Sequence, residues 1–395
     1  MKKILIVDDQ ELVLISLEKC LSDLGYKIKS VNNIYEAIFI YDSFLPDLII
    51  SDVNMPDIIN RYNSKNSVIT QCTVGLELVK YIRQTQNHQI PIMVLSGNTD
   101  ESIISQGFEL GIDDYMKKPV SLTEIGARVK RLIGPAIPIE IGKTETSEKY
   151  IQKGCVGVVI PCYNEAERLP TDEFKKFIDK NLGYHLCFVN DGSKDNTLEV
   201  LEKLRKGKED YISIYNCEKN GGKAEAVRLG MLHLNTKNQY NYIGFLDADL
   251  STNFEDFQDL VNTISTSDFQ IVTGSRMSRM GADITKESSS AIINNTINFF
   301  IRKTLGMDIK DTQCGAKVMT KEIIEKTFKT KFLTKWLFDV EIFMRMKKAY
   351  GSTKAKELIC EQPLKRWIHA DGSKLSFKDS LKIVGQIGQI AISYK

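Results

Sequence analysis

The sequence predicts an α/β protein made of two doubly wound sheets in tandem. Three observations carry that expectation. Short apolar runs alternate with amphipathic stretches from residue 2 to about residue 133, and the alternation resumes at residue 155. Between the two series, GPAIPIEIGKTETSEKYIQKG (134–154) has two prolines, many polar residues and no clear period. Acidic residues recur where the apolar runs end. Alternation of this kind places parallel strands in a sheet with helices on both faces. The expected organisation is a first domain at 1–133, a linker at 134–153 and a second domain at 154–395.

In the first series KILIV, KIKSV, DLIIS, IPIMVLS and DYMK read as strands. Leu12–Leu24 and Leu76–Arg83 have helical periodicity between them. A polar stretch, DIINRYNSKNSVITQCT (57–73), interrupts the series with a loop longer than usual. In the second series CVGVVIP, HLCFVND, YISIYN, YIGFLDAD and FQIVTGS read as strands. A helix is expected to start near Thr252 or Asn253, with Ser251, Thr252 or Asn253 as its cap. FFIRKTLG (299–306) and the C-terminal SLKIVGQIGQIAISYK mix apolar and polar residues, compatible with a membrane-surface helix or with ordinary packing.

Composition narrows the function classes. The 395 residues suit two or three domains, with 42% hydrophobic and 26% charged residues. A formal net charge of +2 gives no basic field for nucleic acid. Eight cysteines without a CxxC pair, and only four histidines, argue against zinc. MKKILIVDD is too short in its apolar run for a signal peptide, and no stretch reaches the ~20 apolar residues of a membrane span. The expectation is a soluble, reduced, cytoplasmic protein that could touch the inner membrane face from its surface.

The first domain places Asp8 and Asp9 at the end of the first strand, Asp52 at the third, Ser96 at the fourth and Lys118 after the fifth. In a doubly wound sheet these ends share the carboxyl edge, where ligands bind. Three adjacent carboxylates repel unless a divalent cation joins them, and a hard ion such as Mg2+ fits oxygen ligands. A hydroxyl and an ammonium beside them suit a phosphoryl group. Through LIVDD, SDVNMPD, VLSGN and YMKKPV, this region resembles the receiver domain of bacterial response regulators, with its flavodoxin-like fold. The resemblance implies Asp52 as phosphoacceptor and Mg2+ on Asp8, Asp9, Asp52 and the Asn54 carbonyl. It further implies Ser96 and Lys118 on the phosphoryl oxygens, Tyr115 as aromatic switch, a cognate sensor histidine kinase, and a homodimer as one use of the domain.

In the second domain IGFLDADLS (243–251) is a buried-strand run ending in two aspartates one residue apart. Glu165, then Asp191 with Gly192 and Ser193, then Gly221 and Gly222 before Lys223, close other strands. A D-x-D at the centre of such an edge suits a divalent metal that neutralises a diphosphate. This set resembles family-2 glycosyltransferases of the GT-A (Rossmann-like) fold. KDTQCGAK (310–317), WLFDVEI (336–342) and WIHADGSK (367–374) narrow the resemblance to dolichyl-phosphate β-glucosyltransferases and bacterial polyprenyl-phosphate relatives. The resemblance implies Pro161, Tyr163, Glu165, Asp191 and Lys223 around the nucleotide of a nucleotide sugar such as UDP-glucose. It implies Asp247 at the ribose or metal, Asp249 on Mg2+ or Mn2+, and Arg276 on phosphate. Asp311 is the position usually proposed as base, with Asp339 and Glu341 as further candidates, and Lys374 could meet the acceptor. Ala316 stands where the family commonly has Phe.

The combined reading is a receiver-regulated, inverting glycosyltransferase that moves a sugar onto a polyprenyl phosphate. Such an acceptor is largely ionised near neutral pH, because its second pKa is about 6. It scarcely needs a base, so Asp311 could orient groups instead. A transferase acting on a saccharide or protein hydroxyl, and a nucleotide-sugar-binding scaffold without turnover, are the alternative readings.

Overall fold

The structure, a computed structural model, describes residues 1–55, 74–97, 101–136, 149–237, 239–277, 283–284, 300–367 and 377–394. The loop 57–73 and Lys374 lie outside them. The chain forms two compact units, Met1–Cys155 with Ile178–Tyr184, and Val156–Phe177 with His185–Lys395.

In the first unit strands β1 (Lys3–Val7), β2 (Lys27–Val31), β3 (Leu48–Asp52), β4 (Ile92–Ser96) and β5 (Asp114–Lys117) form one parallel sheet in the order β2-β1-β3-β4-β5. Between them run helices α1 (Glu11–Asp23), α2 (Ile34–Phe44), α3 (Val74–Lys80, continued by a π-turn over Tyr81–Thr85) and α4 (Glu101–Glu109). Strands covered on both faces read as unbroken apolar runs, and every residue of β3 and β4 is buried. Helix α2 begins where the Asn33 side chain accepts from the Glu36 N–H at 2.9 Å. This order sets the tips of β1, β3 and β4 side by side, with Lys118 directly after β5.

The short strand β6 (Val120–Ser121) and helix α5 (Leu122–Ile133) follow. Strand β7 (Tyr150–Cys162) then starts inside the stretch expected as linker. Tyr150 and Ile151 pair antiparallel with Ser121 and Val120, and the Leu122 N–H donates to the Lys149 carbonyl at 2.9 Å. The polar YIQKG gives no strand pattern of its own. Its pairing partner imposes the conformation, a tertiary effect that propensity does not capture.

The second unit is built on a mixed sheet in the order β14-β11-β13-β10-β7-β8-β9. Its strands are β8 (Asn181–Asn190), β9 (Ile212–Asn216), β10 (Tyr242–Leu246), β11 (Ile271–Ser275), β13 (Ala316–Thr320) and β14 (Ile359–Pro363). A small pair, β12 (Asp283–Ile284) with β15 (Arg366–Trp367), stands apart from it. Helices α6 (Thr171–Lys180), α7 (Thr197–Arg205), α8 (Lys223–Thr236) and α9 (Phe254–Ser265) fall between strands. Farther on come α10 (Lys321–Thr327), α11 (Phe338–Tyr350), α12 (Ser352–Glu357) and α13 (Phe377–Ser393). As expected from the sequence, α9 starts after Asn253, whose Oδ1 accepts from the Asp256 N–H at 2.8 Å. The two aspartates before it are therefore free of capping duty. Strand β13 lies antiparallel between β10 and β11, which brings the DTQCG turn against the tip of β10. Among the described residues no helix is long and apolar enough to cross a membrane.

Candidate active sites

The first site is the carboxyl edge of the five-stranded sheet. Ligand atoms of Asp8, Asp9 and Asp52 lie within 4.8 Å of one another. Lys118, fully buried, donates to Asp8 Oδ2 at 2.7 Å and Asp52 Oδ2 at 2.8 Å. Burial pushes Asp8 up to about 7, with Lys118 opposing the rise and Asp52 adding to it. Burial alone would lower Lys118, but the two carboxylates outweigh it and hold the ammonium protonated. The Asn54 side chain donates to Ser96 Oγ at 3.1 Å, and the Tyr115 hydroxyl is hydrogen-bonded to Ser96. All the residues named from the sequence for this pocket thus meet at one edge. Three clustered carboxylates with one ammonium leave excess negative charge, and all the donor atoms are hard oxygens, so the set fits Mg2+.

The second site gathers around the tip of β10. Asp247 Oδ1 lies 2.5 Å from Lys223 Nζ. Lys223 opens α8, and Asp191 holds the turn before it by accepting from the Gly221 and Gly222 N–H groups, each at 2.8 Å. The expected nucleotide-side residues therefore split into two roles. Asp191 shapes the glycine turn, and Lys223 turns to the Asp247 carboxylate. Glu165 is buried and bound by Arg168 at 2.5 and 2.7 Å, while Tyr163 is 40% exposed beside Pro161. Asn164 (φ +54°) accepts from the Lys194 N–H, tying this loop to the one after β8. Asp249 is exposed, with Oδ1 2.9 Å from the Ser251 N–H.

The DTQCG turn approaches so closely that a Cβ on Gly315 would fall 2.0 Å from Asp247 Oδ2. Only glycine lets the turn and the aspartate share this space. Upstream in the turn, Asp311 is 8% exposed. The Arg276 backbone N–H (2.8 Å) and Nε (2.7 Å) donate to Oδ2, and Nη2 (2.8 Å) donates to Oδ1. Burial would raise the Asp311 pKa, but the Arg276 hydrogen bonds and charge outweigh it and hold it below the ordinary carboxylate value. Arg276 also lies 5.4 Å over the Trp367 ring. The residue expected on phosphate is thus also the partner of the residue expected as base.

Asp339 and Glu341 differ from the expectation. Asp339 is buried, and Lys317 Nζ bonds it at 2.6 Å while also donating to the Cys314 carbonyl. Burial raises Asp339, and Lys317 opposes the rise. Glu341 has no exposed surface. Its carboxylate accepts from the Leu333 and Thr334 N–H groups, Thr334 Oγ1 and the Tyr394 hydroxyl at 2.8–3.0 Å. Those bonds make it the anchor of the 328–337 loop and remove it from the candidate bases. Cys162 and Cys314 are buried thiols whose pKa burial raises, as small packing residues should be.

A further contributor comes from β14, where the sequence carries no motif. Glu361 on β14 accepts from the Asp311 N–H at 2.7 Å and Ser275 Oγ at 2.8 Å through Oε1, and from the Lys310 N–H at 2.9 Å through Oε2. It fixes the backbone on both sides of the Arg276–Asp311 pair. A glutamate in the half-buried run ICEQP was the only signal.

The chain matches the response regulator receiver domain over residues 4–130 and glycosyl transferase family 2 over residues 157–328. The dolichyl-phosphate β-glucosyltransferase of Dictyostelium discoideum is 32% identical over 254 residues, covering 60% of this chain and 74% of that protein. The Saccharomyces cerevisiae dolichyl-phosphate β-glucosyltransferase is 31% identical over 263 residues, covering 60% and 75%. A structure of Mycobacterium tuberculosis glucosyl-3-phosphoglycerate synthase with Mn2+, uridine diphosphate and glucosyl-3-phosphoglycerate aligns at 17% identity and a TM-score of 0.44, covering 61% and 80%.

Proposed function

We propose, from the premise that this chain belongs to the family-2 glycosyltransferases, among the dolichyl-phosphate β-glucosyltransferases, and carries a response-regulator receiver domain, that it transfers glucose from UDP-glucose to a polyprenyl phosphate under two-component control. The observation that carries the acceptor is the state of the carboxylates. Asp247, Asp311 and Asp339 each bear a cation, and Arg276 holds Asp311 ionised and bonded. A hydroxyl acceptor needs a base able to take its proton, and Arg276 lowers the proton affinity of Asp311, the position expected as base. A phosphate acceptor brings its own negative oxygen.

In this reading the acceptor oxygen attacks the anomeric carbon, the bond to the nucleoside diphosphate breaks, and the configuration inverts. Asp191 sets the Gly221–Gly222 turn at the donor. Arg276, fixed by Asp311 and Trp367, presents its charge to an anionic group. A divalent cation, Mg2+ or Mn2+, held by Asp249 beside Asp247, would supply charge neutralisation for the departing diphosphate.

Asp52 is the proposed phosphoacceptor for a sensor histidine kinase, with Mg2+ held by Asp8, Asp9, Asp52 and the Asn54 carbonyl. Phosphorylation would draw Lys118 and Ser96 to the new phosphoryl group and change transferase rate or self-association. The enzyme would work peripherally at the inner membrane face.

Product analysis tests the transferase reading. UDP-glucose should give a glucosyl phospholipid with polyprenyl phosphate and no product with saccharide or protein hydroxyls. Transfer to a hydroxyl acceptor alone would refute it. Acetyl phosphate with Mg2+ should label wild type and leave Asp52→Asn unlabelled. A beryllofluoride complex without any change in rate or dimer affinity would refute control by the receiver.

A further inference from the structure

The segment between α10 and α11, FKTKFLTKWL (328–337), contains three lysines and no acid. Trp336 is 68% and Leu333 44% exposed, and Lys329, Lys331 and Lys335 are exposed around them. Exposed apolar side chains on a pliant loop would fold back onto the protein. Here the loop is held from within. The Arg345 guanidinium donates to the Thr327, Thr330 and Lys331 carbonyls at 2.6–2.8 Å and lies 4.4 Å over the Phe332 ring. Glu341 takes the next two N–H groups, those of Leu333 and Thr334. Both anchors are buried, and Tyr394 bonds both of them. Ordering a loop has an entropic cost, and this one is ordered so that Leu333 and Trp336 face solvent.

The loop also adjoins the donor turn. A Cβ on Gly222 would meet Lys335 Cδ at 3.4 Å, and Lys331 Nζ lies 3.8 Å from Glu225. A surface touching residues 328–337 would therefore stand at the rim of the donor site.

We propose that residues 329–336 are a docking surface for an anionic phospholipid bilayer. Trp336 and Leu333 enter the headgroup boundary, where an amphipathic indole is at home. Lys329, Lys331 and Lys335 lay their alkyl stems along the apolar side chains and their ammonium groups against lipid phosphates. Charge complementarity together with the apolar tip selects a bilayer over a soluble polyanion. The inference deepens the lipid-acceptor reading, but vesicle binding needs no turnover, so the two fail separately.

The test is co-sedimentation of the full chain with phosphatidylcholine vesicles, with and without phosphatidylglycerol, and with no polyprenol present. Binding should require the anionic lipid and weaken with salt. Lys329→Gln/Lys331→Gln should lower partition on the order of 25-fold, from about fivefold per lysine near a charged surface. Leu333→Ser/Trp336→Ser should abolish it. These side chains are exposed, so the fold should survive, checked by circular dichroism. A blue shift of tryptophan emission on binding should vanish in Trp336→Phe, which leaves Trp367 as the only indole. Equal partition to both vesicles, or partition unchanged in Leu333→Ser/Trp336→Ser, overturns the proposal. Turnover with a short, water-soluble polyprenyl phosphate is measured in parallel. Its absence beside intact vesicle binding would refute the acceptor and leave the docking surface standing.

Discussion

The receiver pocket and the transferase site use the same materials in opposite ways. Both place aspartates at strand tips beside a lysine. In the receiver, Asp8, Asp9 and Asp52 crowd within 4.8 Å, and the single ammonium of Lys118 serves two of them. In the transferase three carboxylates are paired one to one with cations, Asp247 with Lys223, Asp311 with Arg276 and Asp339 with Lys317, while the exposed Asp249 meets the Ser251 N–H. Crowding stores negative charge that a metal and a phosphoryl group can use. Pairing spends it on geometry. A crowded carboxylate can act as a nucleophile, whereas a paired one holds its partner in place for a reactant that brings its own charge.

The largest expected effect separates the two arrangements by stability. Removing one partner of a buried ion pair typically costs about 3–5 kcal/mol. Lys118→Met should destabilise the receiver by about that amount, and Mg2+ should recover much of it by joining the same carboxylates. Lys317→Met should cost the transferase domain a similar ~3–5 kcal/mol by stranding Asp339, and Mg2+ should not recover it. Hydrogen exchange in each domain, with and without Mg2+, reads both. Rescue of both variants, or of neither, would erase the distinction.

Next comes Asp249, the exposed carboxylate at the β10 tip. Asp249→Asn should lower metal-dependent turnover roughly 10²- to 10³-fold, the usual loss for one transition-state charge stabiliser, while leaving the melting curve in place. Wild-type rate with the same Mg2+ and Mn2+ dependence would remove the metal from this residue.

Two glycines give a smaller contrast. A Cβ on Gly75 would lie 2.0 Å from the Asp52 carbonyl oxygen and 2.8 Å from Val53 Cα, against backbone that cannot yield. On Gly315 it would meet the Asp247 carboxylate, a side chain that can turn away. Gly75→Ala should cost about 1–3 kcal/mol, the usual range for overpacking. Gly315→Ala should be gentler on stability and harsher on turnover, because the displaced group is Asp247. Equal stability losses in thermal melts would contradict this.

The sequence made the receiver almost fully legible. DLIIS became β3, and the five pocket residues named from it meet, because fully buried parallel strands announce themselves as apolar runs with their functional residues at the ends. Asn253 as a cap was legible for the same local reason. What stayed hidden was pairing across distance. YIQKG became strand through its neighbours in the fold, with Tyr150 and Ile151 paired to Ser121 and Val120 and β7 lying beside β8. Glu341, two residues after Asp339 in FDVE, had the right residue type for a base, but its partners at 333, 334 and 394 could be seen only in the fold. The Arg276–Asp311 clamp spans 35 positions, and Glu361 reaches it from 50 positions away. Residue type shows what a group can do, and its neighbours decide which of those things it does.

The central claim is that Asp311 is a clamped anion that orients Arg276 and takes no proton. The direct measurement is the pH dependence of kcat/KM for wild type and Asp311→Asn with polyprenyl phosphate as acceptor. A nucleophile whose second pKa is about 6 should set the acid limb. Arg276 keeps Asp311 below the ordinary carboxylate value, so it stays ionised across this range. The account predicts that Asp311→Asn lowers the plateau and leaves the acid limb near pH ~6 where it was. Disappearance of that limb in Asp311→Asn would show that Asp311 is the base and would contradict the account.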